Sequence, residues 1–281
     1  MNKLPLAFRV FRYLVFKVGD TKWLGFRHTP FVATWFIAEH EIDLNEVMKE
    51  AIPLLQPGDV ILHRDEGFLS NLFIGGCMIH AGLALPNDQV IEAISGGVKK
   101  RHAGHILYSD KACILRPRTN PIAKERAVTW AEKIEGFEYD PLFQFNADEE
   151  KQLINKYGKK AKEHGVRFCC TEVPYFCYLD KAERLAIKTR RNVTLLTRFI
   201  SLFGLHPGSS VIDADIYIAA DFDLVWCSRS FTSEWCEDMG AKPEVLDKVK
   251  EYWRNKRVIR GLSKPVKRLG FFRRSLARML K

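Results

Sequence analysis

The chain lacks long apolar runs. No stretch approaches the roughly 20 uncharged residues that a membrane-spanning helix needs, which excludes an integral helical membrane protein. It also lacks a disulfide framework. The seven cysteines (77, 113, 169, 170, 177, 227 and 236) are odd in number and include one adjacent pair. A small secreted scaffold carries even sets at regular spacings, so a reducing compartment is expected. Zinc-knuckle spacing is missing too. Cys170 and Cys177 stand too far apart for a CxxC pair and no second pair answers them, so no metal site is expected. His102-x-x-His105 has no partner in view and reads as a surface loop. Arg9 and Arg12 interrupt the apolar stretch from Leu4 to Val18, whereas the core of a secretory signal is free of charge. The expected location is the cytoplasm.

What is present describes a globular protein. The 281 residues are 47% hydrophobic and 28% charged, enough for one sizeable core with appendages or for two small domains. The net charge of +10 is unevenly spread. Residues 248–281 carry 13 Lys and Arg against Glu251 alone, and residues 1–27 carry six against Asp20 alone. The body between them holds 25 bases and 32 acids, so a mildly acidic body lies between two basic ends.

Hydrophobic periodicity predicts a mixed α+β chain. Residues 4–18 form an amphipathic helix, with Leu4, Ala7, Phe8, Phe11, Leu14, Val15 and Val18 on one face. A second helix is predicted over 43–55, capped by Asp43 with Glu46 completing a capping box. Strands are predicted at 59–63 after Pro57-Gly58, at 78–85, at 89–94 after the turn Pro86-Asn87-Asp88, at 111–116 and at 222–227. Helices are predicted at 121–135, closed by Gly136, and at 147–164, closed by Gly165. A third is predicted from Cys170 to Leu179, where Pro174 falls just past the first turn and costs a hydrogen bond or a kink.

Three of these segments each hold one ionisable side chain among apolar neighbours: His80 in MIHAGLAL, Glu92 in VIEAI and Cys170 in FCCTEV. Singly, a His on a strand is usually a hydrogen-bonded core residue, a Glu in a strand points at water and a Cys in an apolar run is a small buried hydrophobe. Together they fit a nucleophilic site, in which a thiolate needs a base and the base needs an orienting group. Hairpin geometry makes the pairing checkable. With a three-residue loop at 86–88, Leu85 pairs with Gln89, and His80 and Glu92 share a face as diagonal neighbours. A loop of another parity puts them on opposite faces.

The segments PGDVIL (57–62), IHAGLAL (79–85), VIEA (90–93), YDPLF (139–143) and CCTEV (169–173) resemble the permuted branch of the NlpC-like, papain-related cysteine hydrolases, the YiiX/YebB-like branch. In that branch the His segment precedes the Cys segment. The resemblance implies a circularly permuted papain-like fold, with a central antiparallel sheet or small barrel and helices packed on it. By matching the motif, Cys170 is the nucleophile, since it is the cysteine followed by Thr171 and Glu172. His80 is then the base and Glu92 the orienting residue. Tyr139 is a candidate for substrate contact, and so is Glu172, for which a structural role as a cap or in an internal salt bridge is the alternative. Pro174-Tyr175 departs from the family pattern. The implied chemistry is acyl transfer from an amide, peptide or acyl ester, with no metal or organic cofactor.

This assigns 1–53 to an N-terminal helical extension, 54–229 to the catalytic domain and 230–281 to a basic helical extension. In the last of these, Leu262, Val266, Leu269, Phe272, Leu276 and Leu280 recur at helical steps between Lys and Arg, with Ser263 as cap. An anionic membrane surface suits such a helix, as it does 1–27. Docking on the body and nucleic acid are the rivals, and the apolar stripe argues against nucleic acid. The competing functional class is a non-catalytic binding or scaffold protein whose basic ends hold a membrane or nucleic acid.

Overall fold

The computed structural model describes residues 42–65, 78–94, 96–140, 147–179, 222–238 and 241–262, with side chains as far as Arg254. The helices expected at 4–18 and from Ser263 onwards lie outside the described residues. The chain is α+β. In order its elements are a helical segment α1 (Leu44–Glu46), strands β1 (Val60–Arg64), β2 (His80–Leu85), β3 (Gln89–Ile94) and β4 (Gly97–His102), and helix α2 (Gly104–Leu107). Then follow β5 (Lys111–Pro117), α3 (Pro121–Ile134), β6 (Glu138–Tyr139), α4 (Ala147–Tyr157), β7 (Arg167–Phe168), α5 (Glu172–Cys177), β8 (Phe222–Cys227), α6 (Ser233–Asp238) and α7 (Pro243–Leu262).

Six strands form an antiparallel sheet in the order β4-β3-β2-β1-β5-β8, while β6 and β7 make a separate parallel pair. Both faces of the sheet are covered. One packs Val60, Leu62, Leu83, Ile91 and Leu115 against Ala127, Ala131, Ile134, Val173 and Phe176 of α3 and α5. The other packs Ile61, Val90, Ile114 and Trp226 against Ile42, Val47, Ile52, Ile106 and Leu107. Strand alternation therefore separates two cores rather than a core from water.

The start of β1 is pinned by a buried ion pair. Asp59 is fully buried and accepts the Gln56 N–H at 2.9 Å, Arg116 Nε at 3.0 Å and Arg116 Nη2 at 2.8 Å. Tyr178, at the end of α5, donates its hydroxyl to the Gly58 carbonyl at 2.6 Å, tying that turn to α5. Gly58 itself turns at φ +89°, which only glycine adopts freely. The β2–β3 connection is the three-residue loop expected, with Leu85 opposite Gln89. Asn87 and Asp88 take the left-handed turn conformation at φ 60° and 54°, which short polar side chains tolerate.

Several elements differ from the sequence reading. The helix at 43–55 begins at Leu44 but widens into a π turn over Val47–Ala51 and tightens into a 3-10 turn over Ile52–Leu54. Asp43 does cap it, accepting the Asn45 N–H at 3.0 Å. Glu46 does not close a capping box. It is buried and its carboxylate faces Arg229, whose cation counters only part of that burial, so the carboxyl stays above its ordinary range. Helix α4 ends at Tyr157 because Gly158, at φ +57°, breaks the α spiral, and a 3-10 stretch continues to His164. Strand β4 and helix α2 were not expected. His102 and His105 lie there as exposed side chains, and His102 Nδ1 accepts the Gly104 N–H at 3.0 Å. The basic segment begins inside α7, where Val249 is buried and Trp253 Nε1 donates to the Phe231 carbonyl at 2.6 Å.

Candidate active site

Three neighbouring strands bring their ionisable residues to one end of the sheet. His63 of β1 stands opposite His80 of β2, and Gly82 stands opposite Glu92 of β3. His80 and Glu92 are therefore diagonal neighbours, and His63 shares their face by the two-residue alternation. The His80 Nε2 to Glu92 Oε2 distance is 2.6 Å. The His80 side chain is 16% exposed and that of Glu92 5% exposed, so the pair is largely withdrawn from water yet reachable.

Cys170 arrives from the other side of the strand end. It lies just before α5 and is buried, its thiol directed at the Ile79 carbonyl at 3.8 Å. Its sulfur also lies near enough to His80 to act on the charge of the ring. With Nε2 engaged by Glu92, Nδ1 is the nitrogen left for the sulfur. His80 thus lies beside both a thiol and a carboxylate. Burial works against its charged form, but the Cys170 sulfur and the Glu92 carboxylate outweigh burial and raise His80 to about 10. Burial likewise opposes the Glu92 carboxylate, and His80, His63 and Arg101 together pull it down to about 2. The arrangement favours the imidazolium form of His80 beside the Glu92 carboxylate.

Helix α5 starts at Glu172, two residues later than expected, with Thr171 before it. Pro174 therefore falls in the first turn, where an N–H has no intrahelical partner to lose. The hydrogen-bond cost expected of Pro174 does not arise for that reason. Cys169 points elsewhere. It is fully buried, its N–H donates to Glu172 Oε2 at 3.4 Å and its sulfur sits 3.6 Å from Thr171 Oγ1. Burial first, and then Glu172, push its thiol far above the ordinary range. Glu172 is itself wholly buried and hydrogen-bonds Glu150 of α4. Tyr139 is placed by the β6–β7 pair opposite Phe168, and its ring packs on the first core.

Two residues at the site escape a reading of the sequence. His63 packs edge-on against the His80 ring, centroids 4.7 Å apart. Arg101 Nε lies 3.6 Å from Glu92 Oε1. His63 comes from β1, whose pairing with β2 joins segments well apart in the chain, whereas Arg101 comes from β4, a hairpin neighbour of β3 that the sequence reading did not include. A polar residue near the end of an otherwise apolar strand was the one local signal for His63.

No known family model matches the chain, and no curated protein matches it. Among solved structures, the fold is similar to the crystal structure of metalloprotein YiiX from Escherichia coli O157:H7, DUF1105. The TM-score is 0.45 at 16% identity, covering 60% of this chain and 96% of that one.

Proposed function

We propose that this protein is a thiol-dependent hydrolase or acyltransferase working through Cys170, His80 and Glu92 on a circularly permuted papain-like (NlpC-like) fold. The observation that carries the reading is His80, held by Glu92 at 2.6 Å through one ring nitrogen with the Cys170 sulfur near its ring. The chain order supports the permuted arrangement, since the strands bearing His80 and Glu92 precede the segment bearing Cys170.

The Cys170 thiolate attacks the carbonyl carbon of an amide, peptide or acyl ester, forming a C–S bond and a tetrahedral oxyanion. Backbone N–H groups at the entrance to α5, that of Cys170 among them, are the natural donors to that oxyanion. The imidazolium of His80 gives its proton to the leaving amine or alkoxide as the carbonyl re-forms, leaving a thioester. Water or another acceptor then attacks the thioester with His80 as base, and the thiolate is released. Glu92 holds the ring orientation and stabilises its charge in both halves. The basic segments 1–27 and 248–281 belong to this reading as attachments to an anionic membrane surface, supported by their charge.

The test is alkylation by iodoacetamide near neutral pH in chelator-treated protein, read cysteine by cysteine by mass spectrometry. Cys170 is expected to label at least about tenfold faster than the other cysteines, and His80→Ala is expected to remove most of that advantage. Uniformly slow labelling, unchanged by His80→Ala, overturns the reading in favour of a non-catalytic binding protein.

A further inference from the structure

We propose that His63, His80 and Glu92 form a binding site for a divalent cation of the zinc class, and that cation binding and thiol chemistry at Cys170 exclude each other. The second half rests on the function proposed above; the first does not. The three residues come from three successive strands of the sheet and face the same way at the same end of it. One donor atom from each, an imidazole nitrogen from each His and a carboxylate oxygen from Glu92, lies within 4.8 Å of the other two. Tetrahedral bonds of about 2.0–2.2 Å put ligand atoms about 3.5 Å apart, so modest side-chain rotations close the set around an ion.

The chemistry of the donors selects the ion. Two imidazoles and one carboxylate are a borderline-soft set of the kind zinc accepts, with a fourth position left for water. Magnesium and calcium want shells of oxygen, which this cluster does not offer. The Glu92 side chain is 5% exposed, so its charge is little screened by water. Arg101 opposes a cation, with its Nε 3.6 Å from Glu92 Oε1, but it is 44% exposed on the neighbouring strand and can turn outward.

Exclusion follows from the lone pairs of one ring. A cation bound through Nε2 of His80 takes the place of the proton shared with Glu92 and sends that proton to solvent. Cys170 then faces a metal-bound, neutral imidazole whose remaining Nδ1–H is a poor acid, because giving it up leaves an imidazolate, so the ring no longer supplies the proton that leaving-group departure requires. The ion also removes Glu92 from its orienting hydrogen bond. Zinc would thereby act as a reversible inhibitor of the site rather than as its cofactor.

The experiment titrates zinc chloride into the full chain, stripped beforehand with chelator, by isothermal calorimetry. Cobalt(II) replaces zinc in a parallel visible-absorption titration that reports tetrahedral geometry. Wild type and Cys170→Ser are both expected to bind one equivalent, and His63→Ala to bind at least about tenfold more weakly. Saturating zinc is expected to slow alkylation of Cys170 by at least about tenfold in wild type, with chelator restoring it. Absence of stoichiometric binding in wild type overturns the site whatever the folding of the variants. Binding lost in Cys170→Ser but kept in His63→Ala overturns it too, because the ion is then on the thiol. Alkylation in the metal-free protein alone decides the hydrolase reading, so the two can fail separately.

Discussion

Gly82 is the point where packing of the sheet and geometry of the site can be tested together. It lies in the middle of β2, directly opposite Glu92. A Cβ there would sit 2.7 Å from Val90 Cγ2, 3.0 Å from Ile106 Cδ1 and 3.2 Å from the Ile91 carbonyl oxygen. The first two contacts involve side-chain ends; the third is backbone of the partner strand. Gly82→Ala therefore forces Val90 and Ile106 to shift and presses β2 away from β3, the pair that sets the His80–Glu92 distance. Overpacking of this kind costs about 1–3 kcal/mol. Replacing glycine also gains about 0.4–1 kcal/mol by restricting the unfolded chain. The net expectation is a loss of about 1–2 kcal/mol.

Val90→Ala separates the two kinds of contact. Alone it removes two buried methyl groups, about 0.8 kcal/mol each, and leaves a cavity on top of that, so it costs about 2 kcal/mol. In the double variant the methyl added at position 82 enters the space left at position 90. The coupling is then favourable by about 1 kcal/mol or more, as measured from urea midpoints in a double-mutant cycle. The same samples are alkylated. Gly82→Ala is expected to reduce the selective labelling of Cys170, and Val90→Ala in that background to restore part of it. Additivity within about 0.5 kcal/mol, or a Gly82→Ala protein with full stability and full labelling, refutes the idea that close packing at this position holds the site.

Asp59→Ala is expected to cost about 3 kcal/mol, because it strands the Arg116 guanidinium beside the β1 turn; Arg116 is 24% exposed, which keeps the loss near the lower end for buried pairs. Asp59→Ala combined with Arg116→Met is expected to recover part of it, and equal urea midpoints for the two would refute the coupling. Glu150 is held above its ordinary value of 4.5 by burial first, and then by Asp140 and Glu149, which outweigh the Glu172 and Arg167 hydrogen bonds. The native state then keeps a proton that the unfolded chain has lost, so stability falls as pH rises above about 4.5. Glu150→Gln is expected to remove that slope and to gain on wild type progressively towards alkaline pH; a difference that stays flat with pH refutes it.

Much of the sheet and the hairpin holding His80 and Glu92 were legible because their information is local. A Pro-Gly turn, a three-residue loop and alternating apolar residues act over a few positions, and parity then decides which side chains share a face. Pairings across long distances were not legible. The contact of β1 with β2 and β5, the parallel β6–β7 pair and the Glu46–Arg229 pair join residues whose neighbourhood no local pattern encodes. His63 was missed for that reason, and Arg101 because β4, a local hairpin partner of β3 rich in Lys and Arg, was not read as a strand. The start of α5 was misread by two residues because Cys170 and Thr171 are apolar enough in context to extend the helical pattern, while the backbone needs Pro174 inside the first turn. For Glu172 the sequence left a substrate contact and a structural role both open, because motif matching does not distinguish a side chain facing a cleft from one turned inward, as here towards the Cys169 N–H.

A sheet covered on both faces sharpens the meaning of its polar residues. In a strand with one wet face, a Glu among apolar residues simply points to water. Here both faces are packed, so each ionisable side chain needs a partner or a task. Asp59 and Arg116 find partners: the carboxylate takes three N–H donors and the guanidinium also reaches the Leu54 carbonyl. Every contact there secures a turn. His80 and Glu92 are bonded to each other at comparable depth, yet the imidazole keeps an accessible edge, with a thiol nearby and a further imidazole beside its ring. A pair needed only for stability has no use for a neighbouring sulfur that competes for the same proton. That excess of proton-exchanging groups around one partly open histidine separates this cluster from the structural ion pair two strands away.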